Sequence, residues 1–218
     1  MFSIVKVFIR EKLNFVFAGR RRKKLIGTDF TIISNNCWGG HVYRFFGIAY
    51  NSPTIGLFFF AEDYIMFLRE LEGFLNIELE FISREESKHS EVLMNKEYEG
   101  VPIGKLCYKG NTVEIVFLHY RSEKEAYEKW TRRVKRVNLN RLLIKNSYQN
   151  KCTEEILEQF AMLPFKNKIF FVHKPFIEYD FTVVYRECIG KDFVLNDTNN
   201  FRKYVNLNRL INSVYDCC

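Results

Sequence analysis

Residues 30–40 read FTIISNNCWGG. Phe30 to Ser34 are strand formers, and two asparagines, a cysteine, a tryptophan and a glycine pair follow them. His41 to Gly47 suits a helix, so the stretch predicts strand, tight turn and helix, with Cys37 at or beside the helix start. A helix N-terminus carries unpaired N–H groups and a partial positive charge. A thiol placed there is expected to ionise more easily and to become a better nucleophile. This is the geometry of a nucleophile elbow, although the residues are not those of the serine motif. The competing reading is a cysteine packed as a small buried hydrophobe. A plain core position, however, requires neither the paired amides nor the indole nor the glycines.

Working outward, alternating elements appear along the chain. Thr54 to Phe60 is continuously apolar and predicts a central strand covered on both faces. Ala61 to Leu75 predicts a helix, with Glu62 and Asp63 in the first turn, where acids suit the dipole. Ile77 to Ile82 alternates as a strand does, and 83–99 is polar and carries no clear period. Val101–Tyr108 and Val113–Leu118 flank Lys109-Gly110-Asn111, a hairpin turn. Ser122 with Glu125 forms a capping box for a helix to about Val137, and Thr153 starts another to Met162. Strands are expected at Arg141–Ile144, Lys168–Val172 and Phe181–Tyr185, and a closing helix at Phe201–Val214. The pattern is that of an α/β protein: a mixed, mostly parallel sheet flanked by helices, with one β-hairpin. In such sheets ligands bind beyond the carboxyl ends of the strands. Asn35, Asn36, Cys37, Glu62, Asp63, His119, Tyr120, Lys145, Asn146, His173 and Lys174 punctuate the expected strand ends, so a shared rim is expected.

Charge divides the chain unevenly. The net charge of +7 resides in residues 1–27, which hold eight Lys/Arg and one acid, while the remainder balances 25 bases against 25 acids. Residues 1–27 read as a basic amphipathic leader and 28–218 as a single α/β domain. Ser3, Lys6, Arg10 and Asn14 share one side of a helix, most of Val5, Phe8, Ile9, Leu13 and Val16 the other, and Gly19 ends the pattern before five consecutive bases. An apolar helix face plus a basic cluster is a two-part signal for an anionic membrane surface, and a packed helix with a solvated basic loop is the alternative. No run reaches the ~20 apolar residues of a spanning helix. A neutral globular part argues against a nucleic-acid partner. Six cysteines without a CxxC pair, and no evident cleavable signal, suggest free thiols in a reducing cytoplasmic setting, at the inner face of the membrane. Four scattered histidines predict no metal site, and the absence of GxGxxG and GxxxxGKS/T predicts no nucleotide cofactor fold.

TIISNNCWGG at 31–40, SPTIGLFFFAEDYIMFL at 52–68, FLHY at 117–120 and EAYEKWTRRVKRVN at 125–138 together resemble a bacterial family of uncharacterised proteins labelled as exopolysaccharide or capsule biosynthesis proteins. The resemblance covers about Asp29 to Ile169, and a basic leader also looks like that family. It implies a role in making or modifying cell-surface polysaccharide and supplies no reaction.

Three readings follow from these residues. In the first, a transferase acts on a saccharide precursor: Cys37 is the nucleophile for an acyl group, His119 the general base, and Asp63 or Asn138 orients the imidazole. The N–H groups near Trp38 and Gly39, with the Asn35 or Asn36 amide, would stabilise an oxyanion. In the second, no thiol chemistry occurs. Asn35, Asn36 and Trp38 bind sugar, and Arg132, Arg133 and Lys145, beside Asn146, hold the phosphate of a nucleotide-sugar or lipid-linked donor. In the third, the chain is a membrane-surface adaptor and the rim residues do not converge.

Overall fold

The computed structural model describes residues 16–216. Strand β1 (Thr31–Ser34) is buried along its whole length. It pairs in parallel with β5 (Leu142–Ser147), Thr31 opposite Leu142 and Ser34 opposite Lys145. Two further parallel strands extend this sheet, β6 (Lys168–Val172) and β7 (Thr182–Val184), in the order β1-β5-β6-β7. A separate antiparallel sheet is built from β2 (Glu80–Ile82), β3 (Ile103–Tyr108) and β4 (Asn111–Val116). The expected mixed sheet is thus two sheets, with the parallel pairing confined to one and the hairpin to the other. The hairpin turns through Lys109 (φ 50°) and Gly110 (φ 80°), the two positive angles that a tight hairpin turn of this hand demands.

An edge strand leaves N–H groups without a partner, and side chains cover those of β1. The Ile32 N–H donates to the Tyr43 hydroxyl at 2.9 Å, and the Ser34 N–H to Thr54 Oγ1 at 3.0 Å. Tyr43 belongs to helix α2 (Trp38–Phe46). A Cβ added at Gly39 would lie 3.3 Å from Ile32 Cγ2, so the missing side chain lets this helix sit directly on β1. The helix ends at Gly47, φ 62°, a left-handed cap.

The preceding helix α1, described over residues 16–22, runs through Gly19 rather than ending there. It packs on the domain through buried Ala18, with the Arg21 guanidinium 4.2 Å from the Phe45 ring centre and Arg22 donating to the Gly47 carbonyl at 2.9 Å. The amphipathic pattern expected over residues 3–14 lies outside the described residues. No helix among the described residues is long and apolar enough to cross a membrane.

Residues 54–60 are buried as expected but are not a strand. Phe58 makes one isolated antiparallel bridge to Val116, and the Phe59 N–H donates to the Asn35 carbonyl at 3.0 Å. The segment therefore divides its backbone groups between the two sheets, which periodicity alone does not register. The helix expected over 61–75 is two, α3 (Ala61–Arg69) and α4 (Leu71–Leu75), broken at Glu70 where ψ is 38°. The Tyr64 hydroxyl of α3 reaches the carbonyls of both Ile33 and Lys145, at 2.8 and 2.9 Å, and so fastens the helix across the β1–β5 seam. Segment 83–99 is ordered around the short helix α5 (Ser90–Leu93). Helices α6 (Glu123–Val134) and α7 (Glu154–Ala161) begin at Ser122 and Thr153, whose side chains accept from the Glu125 and Ile156 N–H groups. The expected closing helix is interrupted: α8 (Leu207–Asn212) stands between two single turns.

Candidate functional site

The carboxyl ends of β1 and β5 lie side by side, and parallel pairing brings Asn35, Asn36, Lys145 and Ser147 together there. Lys145 is fully buried. Its ammonium donates to Asn35 Oδ1 at 3.0 Å, to Asn36 Oδ1 at 2.9 Å and to the Asp197 carboxylate. Three acceptors thus meet its three N–H donors. Asp197, only 1% exposed, also accepts from the Ser147 hydroxyl and from Asn36 Nδ2 at 3.0 Å. Asn36 bridges onward to Gln149 Oε1 at 2.9 Å, and its Oδ1 caps the Trp38 N–H at 3.1 Å. Burial lowers the Lys145 ammonium to about 8, with the Asp197 charge holding it up against a larger fall. Three acceptors, one of them the Asp197 carboxylate, favour the protonated form.

Against this network lies a cavity of about 380 Å³. Its polar lining comprises Asn36, Cys37, His41, His119, Gln149, Asn150 and Asn196 to Thr198, and its apolar lining Phe58, Tyr98, Leu118 and Phe193 to Leu195. Cys37 and His119, read from distant parts of the sequence as partners, therefore share one cavity. His119 is exposed at the mouth, and its ring is unengaged among the described residues. His41 joins them, since it follows Cys37 by four residues and so shares a face of α2 with it.

The thiol itself departs from the expectation of easy ionisation. Cys37 does precede the first turn of α2, but its pKa is pushed up to about 11 by burial first and by the Asp197 carboxylate second, with Lys145 opposing. Loss of hydration and a neighbouring anion outweigh the helix terminus. The Sγ–H faces the Leu57 carbonyl at 3.8 Å.

Other expected roles are displaced. Asp63 does not orient His119: it lies 2.5 Å from His89 Nε2 and 2.6 Å from Lys88 Nζ, and accepts from the Glu114 N–H at 3.0 Å. His89 is buried, its ring stacked 3.8 Å from that of Phe60, so this cluster ties segment 83–99 to α3 and β4. Asn138 also serves elsewhere, donating through Nδ2 to the Asp29 carbonyl at 3.1 Å. Trp38 has no exposed surface to stack on a sugar; its ring meets Phe171 and Phe201 edge-on, each at 5.6 Å. Gly39 serves close packing. Arg133 is buried and bonds the Tyr120 hydroxyl at 2.6 Å, while Arg132 is exposed and does not line the cavity. Asn146 is buried with Oδ1 on the Ser147 N–H. With Lys145 neutralised by Asp197, the expected phosphate-binding set does not assemble. Among the described residues no group of three or more His, Cys, Asp or Glu is placed to hold a metal ion.

Two participants escaped sequence reading, Asp197 and Gln149. Asn196-Asp197-Thr198 reads only as a turn, formed by the Thr198 N–H on Asn196 Oδ1 at 3.0 Å. Nothing local indicates that the central carboxylate reaches β5.

Residues 5–216 match a family described as Domain of unknown function (DUF1919), and the chain belongs to that family. It is also similar to an uncharacterised protein of Haemophilus influenzae (strain ATCC 51907 / DSM 11121 / KW20 / Rd), 32% identical over 175 residues, which span 80% of this chain and 77% of that one.

Alkylation of Cys37 by iodoacetamide, read on its own peptide by mass spectrometry, is expected to stay slow through pH 9 and to rise with a midpoint near 11. A midpoint at or below the ordinary thiol value of roughly 8.5 would contradict the electrostatic account.

Proposed function

We propose that this family member is a transferase acting on a saccharide precursor in the building of cell-surface polysaccharide, with the cavity at the carboxyl edge of the parallel sheet as its active site. The observation that supports this reading is the character of the lining. Neutral amides and hydroxyls (Asn36, Gln149, Asn150, Asn196, Thr198) and an exposed imidazole stand opposite aromatic and aliphatic walls. Among the described residues, no Lys or Arg lines the cavity. Groups that exchange hydrogen bonds without net charge, beside apolar faces, suit a hydroxylated ring better than an anion. The His119 backbone N–H donates to the Gly56 carbonyl at 3.0 Å, and its exposed imidazole at the mouth serves as base toward a hydroxyl of the bound sugar. The resemblance of the 31–40 and 52–68 words to polysaccharide-biosynthesis proteins points to the same pathway. An adaptor without an active site has no need of the rim convergence that Cys37, His119 and Gln149 display.

The shared cavity of Cys37 and His119 favours a second reading, acyl transfer through the thiol. His119 would take the Sγ proton as sulfur bonds to the acyl carbon, and would return it to the departing group. The sugar hydroxyl would then displace sulfur and restore the thiol. Because the resting thiol is protonated, base removal must accompany attack.

Methyl glycosides titrated against the protein by calorimetry are expected to bind. Asn196→Ala and His119→Ala should each weaken binding roughly five- to thirtyfold, the loss of one hydrogen bond at about 1–2 kcal/mol, and Cys37→Ala should leave it unchanged. Absence of binding across glucosides, galactosides and N-acetylhexosaminides would overturn the reading. A covalent acyl mass on the Cys37 peptide after exposure to acetyl-coenzyme A would transfer the proposal to the thiol mechanism.

Residues 1–27 are proposed to bring the chain to an anionic membrane at the cytoplasmic face. Of the five bases at 20–24, Arg21 and Arg22 are engaged by Phe45 and Gly47, and each of the other three would contribute on the order of 1 kcal/mol at such a surface. Replacing those five with glutamine should abolish flotation with phosphatidylglycerol vesicles. Flotation equal to that of the unaltered chain would remove the membrane from the proposal.

A further inference from the structure

The cavity is graded from floor to mouth. Asn36 and Asp197 on the floor are 8% and 1% exposed. At the mouth stand three large apolar side chains in water: Leu118 at 37%, Phe193 at 50% and Leu195 at 53%. Single exposed apolar residues are ordinary on a protein surface. These three, however, line one cavity and come from two segments far apart in sequence. Leu118 follows β4, on the wall that carries Phe58 and Tyr98, whose rings are 6.1 Å apart. Phe193 and Leu195 come from the segment that Asp197 anchors.

That second segment is held in place by hydrogen bonds to its main chain. The Val194 N–H donates to the Tyr148 carbonyl at 2.9 Å, and Gln149 Nε2 donates to the Val194 carbonyl at 2.6 Å. The Leu195 N–H points to Cys188 Sγ at 3.4 Å. With the main chain pinned at 194 and 195, the side chains of 193 and 195 remain at the mouth instead of folding into the core. A single sugar ring, whose apolar face can cover only part of these lips, leaves the rest of them in water. A hydrocarbon chain passing between them would cover all three.

We infer that the substrate is an amphiphile, a saccharide carried on a hydrocarbon chain, with its head among the amides and its chain against Leu118, Phe193 and Leu195. This rests on the saccharide reading of the cavity floor. A lining with no Lys or Arg among the described residues fits it and disfavours a nucleotide-linked sugar, whose diphosphate would meet the Asp197 carboxylate and no cation.

A series of n-alkyl glucosides, galactosides and maltosides from methyl to octyl, each held below its micelle concentration, tests this by calorimetry on the full chain. Kd is expected to fall roughly two- to fourfold per methylene, the range for partial to full burial of each group. In Phe193→Ser/Leu195→Ser, altered at two half-exposed positions, the ratio of methyl to octyl glycoside Kd, read within the variant, should fall several-fold toward one. A Kd independent of chain length, with methyl glycosides still bound, would overturn the inference and leave the saccharide reading intact. Alkyl sulfobetaines binding as tightly as alkyl glycosides of the same length would overturn both. UDP-glucose binding more tightly than octyl glucoside would overturn the inference in favour of a nucleotide-linked donor.

Discussion

A buried ammonium must find acceptors for all three of its protons and an anion for its charge, or the chain loses several kcal/mol. Lys145 finds Asn35, Asn36 and Asp197, and much of the carboxyl edge follows from that demand. The register that sets Ser34 opposite Lys145 delivers the two amides. The carboxylate draws in residues 193–198, and with them one wall of the cavity. Ser147 and Gln149, further along β5 and past its end, complete the set of partners. One ion pair thereby connects the β1–β5 seam of the parallel sheet, the loop before α2 and a distant C-terminal segment.

The same pair governs the electrostatics of the cavity. Its carboxylate opposes ionisation of Cys37 and its ammonium favours it, but burial is the largest influence on the thiol. The net outcome is a protonated Sγ at neutral pH beside an exposed imidazole. Because Lys145 is neutralised internally, the lining offers hydrogen bonds without net positive charge. That distinction separates a site for hydroxylated ligands from one for phosphates, and it arises from a contact between residues 52 positions apart.

What sequence reading reached, and what escaped it, divides along the range of the interactions involved. The strand–turn–helix at 30–47 depends on neighbours in sequence, as do the Ser122 and Thr153 caps and the hairpin at 109–111, and all of these were legible. Part of the rim was legible as well, because β1 and β5 pair in parallel and their ends must gather on one side; His119, which follows a strand of the antiparallel sheet, reaches the same cavity by packing that strand order does not announce. Long-range pairing was not legible. Asp63 looked available to an active-site histidine, yet it is consumed by His89 from a segment with no periodicity. Residues 54–60 looked like a strand because they are apolar throughout, but their backbone groups are shared between two sheets. Trp38 looked like a sugar platform because it adjoins the amides; its position at the start of α2 instead turns the indole into the core against Phe171 and Phe201. Asp197 sits in an ordinary polar turn, and its partner is chosen by tertiary structure alone.

The central role of the buried pair is tested most directly by a double-mutant cycle on Lys145 and Asp197, read by urea denaturation. Asp197→Asn strands a buried cation and should lose about 3–5 kcal/mol. Lys145→Met combined with Asp197→Asn removes both charges and should be more stable than Asp197→Asn alone. A double variant whose loss equals the sum of the two single losses would show that the two charges are not coupled, and would contradict the dependence of the carboxyl edge on their pairing.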